Sequence, residues 1–314
     1  MTAVTTMEKW CRVPNIPNSM GDFKRYLIEN DMSLRLKNLK SGLDAASIAV
    51  IDRDVEFILN YPNEKTSFAE EFYCRDPYYL LTFDEKEQLA VEQQKLSFLQ
   101  KKGTLGGPEV SVWEHGLKDL PSSVLNYIKG KSFVDAGAYI GDSALVLKKY
   151  GPSKIYCFEV EEENLKELQK NTKKDRDFIE IVPCALFSKR CRLSFRGMRA
   201  GSTSLSVPGD AEIEAIDLDS FCQDKKNVKI GLIKADIEGA EMDMLEGAKA
   251  IIIRDRPVLS LCIYHNPKQF FEMKPLLESW GLNYKFFIQK HVINCSIEET
   301  TLIAYPKELD ESAA

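Results

Sequence analysis

The sequence predicts an α/β protein: a mostly parallel seven-stranded sheet ending in an antiparallel hairpin, preceded by a mainly helical N-terminal region. Three observations carry this prediction. The run Phe133-Val-Asp-Ala-Gly-Ala-Tyr-Ile-Gly-Asp142 reads as a buried strand that turns through glycines into a helix. From Lys131 onward, apolar strand patterns alternate with helical ones. The last two strand patterns are joined without a helix, so they must pair antiparallel, because a parallel pair needs a crossover.

Residues 1–105 show no strand–helix alternation and read as a helical region. Thr82-Phe-Asp-Glu85 is a capping box opening a helix to about Lys102, with Leu89, Leu96 and Leu99 along one side and Gly103 as its stop. Ser19 to Leu39 and Asp54 to Asn60 give weaker helical patterns. Residues 106–130 form a linker and lead-in: Leu105-Gly-Gly-Pro108 breaks the chain, and a short strand and a helix follow between Val110 and Gly130.

The main domain is expected over 131–306. Strand 132–136 feeds a helix from Asp142 to Tyr150, and strand 154–158 feeds one from Glu161 to about Lys173. Strand 178–182 follows, and then an inserted antiparallel pair, 191–196 and 212–218, around Gly201-Ser-Thr-Ser-Leu205. Strand 228–235 leads to a helix from Ala240 with Leu245, Ala248 and Ile252 on one face. Strand 257–264 precedes a helix started by Asn266-Pro267 and stopped by Gly281, with Phe270, Met273, Leu277 and Trp280 as its buried stripe. Strands 284–288 and 300–305 finish the domain, and 307–314 is a polar tail.

At 44% hydrophobic and 29% charged residues, the composition is that of a globular protein. A net charge of -6 argues against general nucleic-acid binding, which needs a basic face for phosphates. The eight cysteines show no C-x-x-C pair and no zinc spacing. Cys157, Cys184 and Cys262 fall in expected core strands, so the thiols are read as reduced and the setting as cytoplasmic. No basic start followed by an apolar stretch marks a signal peptide, and no apolar run approaches a membrane span. A small-molecule acceptor, with no nucleic-acid or membrane partner, is the expectation.

The glycine spacing bears on the ligand. A dinucleotide fold wants G-x-G-x-x-G, but counting from Gly137 the second slot holds Tyr139 and the third Asp142. A ring and a carboxylate there would be poor neighbours for a pyrophosphate. A phosphate-free nucleoside such as S-adenosylmethionine suits the loop better. Glu159 lies 22 residues beyond Gly137, where the second strand should end and a carboxylate can take two ribose hydroxyls. Ser143, at the helix start, can meet a ligand carboxylate. An NAD-dependent oxidoreductase on a similar sheet is the first rival. A non-catalytic adenosyl-binding module, whose helical N-terminal part meets a partner, is the second.

The chain resembles the FkbM-type S-adenosylmethionine-dependent methyltransferase family over roughly residues 110–306. The stretches that carry the resemblance are Phe133 to Leu145, the block Ile233-Lys-Ala-Asp-Ile-Glu-Gly-Ala-Glu241, Ile263-Tyr-His-Asn-Pro267, and the end of Glu299-Thr-Thr-Leu-Ile-Ala-Tyr305. The class I methyltransferase (Rossmann-like) architecture is implied, as is methylation of oxygen on a sugar or other small metabolite. The resemblance also implies that Asp135, Gly137 and Glu159, with Gly141 in the same loop, hold the methionine and ribose parts of the cofactor. Ala185 would lie at the adenine pocket.

An alcohol acceptor must lose a proton, and His265 is the candidate base, with His291 orienting the substrate. Asp236 meets the cofactor's amino group or the substrate, while Glu238 caps the helix opening at Gly239. A divalent cation held by Asp236, Glu238 and His265 is the less favoured mechanism. Glu299, in the closing strand, would orient His291. Residues 1–105 are expected to cap the substrate cleft, and the Gly201–Leu205 loop to cover the cofactor.

Overall fold

The computed structural model describes residues 16–60, 82–95, 110, 112–197, 203–204, 211–226, 228–290 and 297–310. Three helices come first: α1 (Ile16–Glu29), α2 (Met32–Lys40) and α3 (Ala45–Asn60). The single helical pattern expected over 19–39 is two helices, because Asp31 caps a new start and its carboxylate accepts the Leu34 N–H at 3.0 Å. Helix α4 (Phe83–Lys95) begins at the expected capping box: Thr82 Oγ1 accepts the Glu85 N–H at 3.2 Å, and the Glu85 carboxylate accepts the Thr82 N–H at 2.9 Å. Leu96, Leu99 and the Leu105–Pro108 linker lie outside the described residues. No strand occurs among the described residues between Val112 and Gly130. A 3-10 turn (Glu114–Asp119) and α5 (Ser122–Ile128) stand there instead.

The alternating units follow as β1 (Ser132–Ala136), α6 (Asp142–Leu147), β2 (Ile155–Phe158), α7 (Glu162–Asn171) and β3 (Ile179–Val182). The insertion comprises β4 (Ala185–Leu186), β5 (Cys191–Gly197), β6 (Thr203–Ser204) and β7 (Ala211–Ile216), with β5 and β7 antiparallel as expected. Next come α8 (Leu218–Asp224), β8 (Ile230–Ala235), α9 (Glu241–Gly247), α10 (Lys249–Asp255), β9 (Val258–Cys262), α11 (Pro267–Ser279), β10 (Tyr284–Gln289) and β11 (Thr301–Pro306). The helix expected from Ala240 is broken at Ala248 into α9 and α10.

The main sheet has the order β10-β11-β9-β8-β1-β2-β3. Strand β11 pairs antiparallel with both neighbours, and the other pairings are parallel. The last strand therefore wedges between β9 and β10 instead of adding at the edge. β1, β8 and β9 are buried at every position, the pattern of strands covered on both faces. Val134 and Ala136 join one apolar cluster, while Phe133 joins the other.

The N-terminal helices share the first of these clusters, so they are part of the fold and not an appended module. Phe23 meets Phe270 edge-on at 5.9 Å, and Tyr26 stacks on Phe271 at 5.5 Å. Ser47 Oγ accepts the Ile288 N–H of β10 at 2.8 Å. Buried Asp54 takes a hydrogen bond from Thr300 Oγ1 at 2.8 Å and faces Lys290 Nζ at 3.3 Å. These helices cover the edge strand, which would otherwise present bare backbone. Nothing described in 16–95 lines the cleft below; the described helices brace the sheet edge.

Candidate active site

A cavity of about 310 Å³ opens at the carboxyl ends of the parallel strands. Gly137, Ser143, Glu159, Ala185, Asp236 and Glu238 all line it. Gly137 has φ 74, and a Cβ there would collide with the Asp236 carbonyl oxygen, so only glycine fits where β1 and β8 converge. Glu159 faces the cleft with its carboxylate held by backbone: Oε1 accepts the N–H of Val160 at 2.7 Å and of Glu161 at 2.8 Å, and the Tyr139 N–H donates to it as well. Burial raises its pKa against the pull of those donors. Tyr139 forms part of the wall and leaves the cavity open. Phe158, Cys184, Ala185 and Leu186 make an apolar slot beside Glu159. Cys184 thus lies in the cleft just past β3, not within a core strand.

Two residues expected to touch the cofactor do not line the cleft. Asp135 is fully buried beside Lys234, with Oδ1 3.1 Å from Nζ, because the sheet register sets the two residues opposite each other. Burial opposes the charge on Lys234, but Asp135 and Asp236 outweigh it and hold the amine protonated. The ammonium also donates to the Gly137 carbonyl at 2.9 Å. Asp135 therefore shapes the glycine loop from beneath. Gly141 faces Leu168 and Thr172 of the neighbouring helix and is a packing position.

The second half of the site is a histidine among three carboxylates. His265 Nε2 lies 3.3 Å from Asp236 Oδ1 and 3.6 Å from Glu238 Oε2, and Nδ1 lies 3.1 Å from Glu241 Oε1. These are ion-pair contacts and not aligned hydrogen bonds. Burial works against a charged ring, yet Glu241 and Asp236 prevail and hold the His265 pKa well above its usual value. That direction favours the imidazolium over the free base expected of this ring. Burial likewise opposes ionisation of Asp236, but His265 and Lys234 hold its pKa below the carboxylate range. Glu238 differs: burial, together with Asp236 and Glu241, lifts its pKa to about 7, despite the opposing pull of His265.

Glu241, and not Glu238, organises the turn. It accepts the N–H groups of Ile237 at 2.8 Å and Gly239 at 3.1 Å, and Gln269 donates to its other side. Glu238 sits at φ 55 and turns towards the cleft. His291 and most of the Gly201–Leu205 loop lie outside the described residues. Glu299 stands in the turn before β11, at φ 63, and lines the cleft. The sequence reading assigned no role to His115, which lines the same cavity. Its signal was its rarity, one of three histidines, next to a glycine.

A parallel sheet with a reversed strand near its end, and a glycine-turn cleft at the carboxyl ends of its strands, defines the class I methyltransferase fold. Residues 135–286 match the family model of the methyltransferase FkbM domain. Among solved structures, the methyltransferase FkbM from Methylobacillus flagellatus KT is similar at a TM-score of 0.60 and 21% identity, over 90% of this chain. The match spans 61% of that protein's length, and at this identity it speaks for the fold. An rRNA methylase from Streptococcus thermophilus (TM-score 0.39, 14% identity, 65% of this chain and 99% of that one) is a distant similarity. So is Aeropyrum pernix fibrillarin in complex with S-adenosyl-L-methionine (0.33, 15%, 61% and 70%). No curated protein matches the sequence.

Proposed function

We propose that the protein is an S-adenosylmethionine-dependent methyltransferase acting on the hydroxyl oxygen of a sugar or other small metabolite. The observation that carries this reading is the backbone-held Glu159 carboxylate, in a cleft also lined by Asp236 and Glu238, the two carboxylates that His265 Nε2 meets. The residues fit the cofactor. Glu159 suits the ribose hydroxyls, the slot around Ala185 suits adenine, and Ser143 and Asp236 suit the amino-acid end. Bound there, the cofactor supplies an electrophilic methyl group on a sulfonium.

This chain's part is alignment, shielding from water and removal of one proton. Glu238 is the proposed base, because its pKa of about 7 lets it be deprotonated yet basic near neutrality. His265, cationic between Asp236 and Glu241, steadies the carboxylates without titrating itself. Glu241 is an unsuitable metal ligand, since its oxygens already serve the Ile237 and Gly239 N–H groups and Gln269. A proton, not a divalent cation, is the proposed occupant of the cluster, and turnover is expected to survive EDTA. Loss of activity on chelation, with recovery on adding magnesium, would restore the cation mechanism.

The five described cysteines are free thiols, which supports a reducing compartment such as the cytoplasm. No described helix is long and apolar enough to cross a membrane. Calorimetry against S-adenosylhomocysteine and NAD tests the cofactor: binding of NAD alone would overturn the proposal. An acceptor screen with labelled methyl donor tests the chemistry. Once an acceptor is found, separate Asp236→Asn and Glu238→Gln variants that leave turnover untouched would overturn the assignment of these residues to the catalytic site.

A further inference from the structure

His115 has no place in the mechanism above and lies ahead of the family domain, yet the structure fixes it with unusual care. Glu114, His115 and Gly116 take consecutive left-handed conformations, at φ 55, 56 and 83. Two non-glycine residues in a row there carry strain, which persists only where surroundings enforce it. Those surroundings act from several sides. Buried Glu114 pairs with Lys149 and with the Tyr150 hydroxyl. Ser260 Oγ of β9 donates to the His115 carbonyl at 2.8 Å. The Gly116 N–H donates to the Trp113 carbonyl at 2.8 Å, and a Cβ on Gly116 would lie 2.7 Å from both Gln289 Oε1 and Ile303 Cδ1.

The ring so placed lines the cleft, and its Nε2 is buried without a hydrogen-bond partner among the described residues. A buried polar nitrogen left unmet by the protein is a position for a ligand atom. The ring is neutral at physiological pH, since burial and the Lys234 ammonium lower its pKa to about 3. That ammonium is the group that donates to the Gly137 carbonyl, so the electrostatic neighbourhood of His115 is the glycine loop. Just upstream, Val110 packs against Tyr139 and Ile140 of the same loop. A neutral N–H beside an ammonium suits an anion, while Asp236 and Asp142 in the same cavity suit a cation. Together they match a zwitterion. Glu159 and Ala185 serve the other end of the cleft.

Resting on the methyltransferase reading, we propose that His115 binds the donor: its Nε2 hydrogen-bonds the carboxylate of the methionine end of S-adenosylmethionine, next to Gly137.

The test compares two nucleosides by calorimetry on the full chain. S-adenosylhomocysteine carries the amino-acid end, and methylthioadenosine is the same thionucleoside without it. His115→Ala is expected to weaken S-adenosylhomocysteine roughly tenfold and to leave methylthioadenosine unchanged. His115→Asn, which tolerates the left-handed backbone and keeps an N–H donor, is expected to retain most of the affinity. Unchanged S-adenosylhomocysteine affinity in His115→Ala would overturn the proposal. Equal weakening of both nucleosides in both variants would do the same, since it marks a structural role. Wild-type protein that binds neither nucleoside would bring down the methyltransferase reading itself.

Discussion

Glu238 is the residue whose protonation is most open to measurement. If it is the base, turnover rises as pH climbs through about 7, the value to which burial and its acidic neighbours lift it. Glu238→Gln should lower kcat by roughly 10²-fold and abolish that rise, read from a pH–rate profile. The same group leaves a mark on stability. Its folded pKa of about 7 exceeds the ordinary glutamate value of 4.5, so its contribution is fully present below 4.5 and is lost as pH rises through 7. Glu238→Gln should therefore flatten the fall in stability across that window in urea titrations at several pH values. Lys234 is the opposite case, buried with its partner and held protonated. Lys234→Met would strand Asp135 and cost about 3–5 kcal/mol in chemical unfolding, with weaker S-adenosylhomocysteine binding because the Gly137 carbonyl loses its donor. A wild-type unfolding midpoint in that variant would count against the buried pair.

Among the elements, what the sequence disclosed depended on whether the signal was local. β1, β8 and β9 were legible because burial on both faces writes a continuous apolar run, and α4 because Thr82 and Glu85 cap it reciprocally. The wedging of β11 was not legible, since its alternation says that it is a strand but not which neighbours it takes. At the strand ends, Asp135 and Glu159 look alike as acidic residues after apolar runs. One turns sideways to Lys234 and the other into the cleft, a distinction made by the register of a strand almost a hundred residues away. The brace by α1–α3 was equally hidden, because Ser47 and Asp54 are ordinary helix-surface residues until β10 arrives beside them. Ser47→Ala would leave the Ile288 N–H unmet and should cost about 1–3 kcal/mol, seen as a lower melting temperature with S-adenosylhomocysteine affinity unchanged. An unaltered melting temperature would mean that the edge strand does not need its helical cover.

For the molecule as a whole, the cofactor should act as a stabiliser, because the cleft gathers β1, β2, β8 and the lead-in turn around one ligand. S-adenosylhomocysteine at a hundred times its Kd is expected to add about 2.7 kcal/mol to unfolding, and no thermal shift at saturation would contradict the proposed site. The position of β11 has a further consequence, for the order of assembly. Strand β10 reaches the rest of the sheet only through β11, and α3 rests on β10. While a ribosome has translated no further than residue 300, the flank of β9 is unpaired, and β10 with α3 against it has no strand to join it to the sheet. Closure then comes late, when a final ribbon slides between two waiting edges and ties β10, with α3 beside it, to the rest of the sheet.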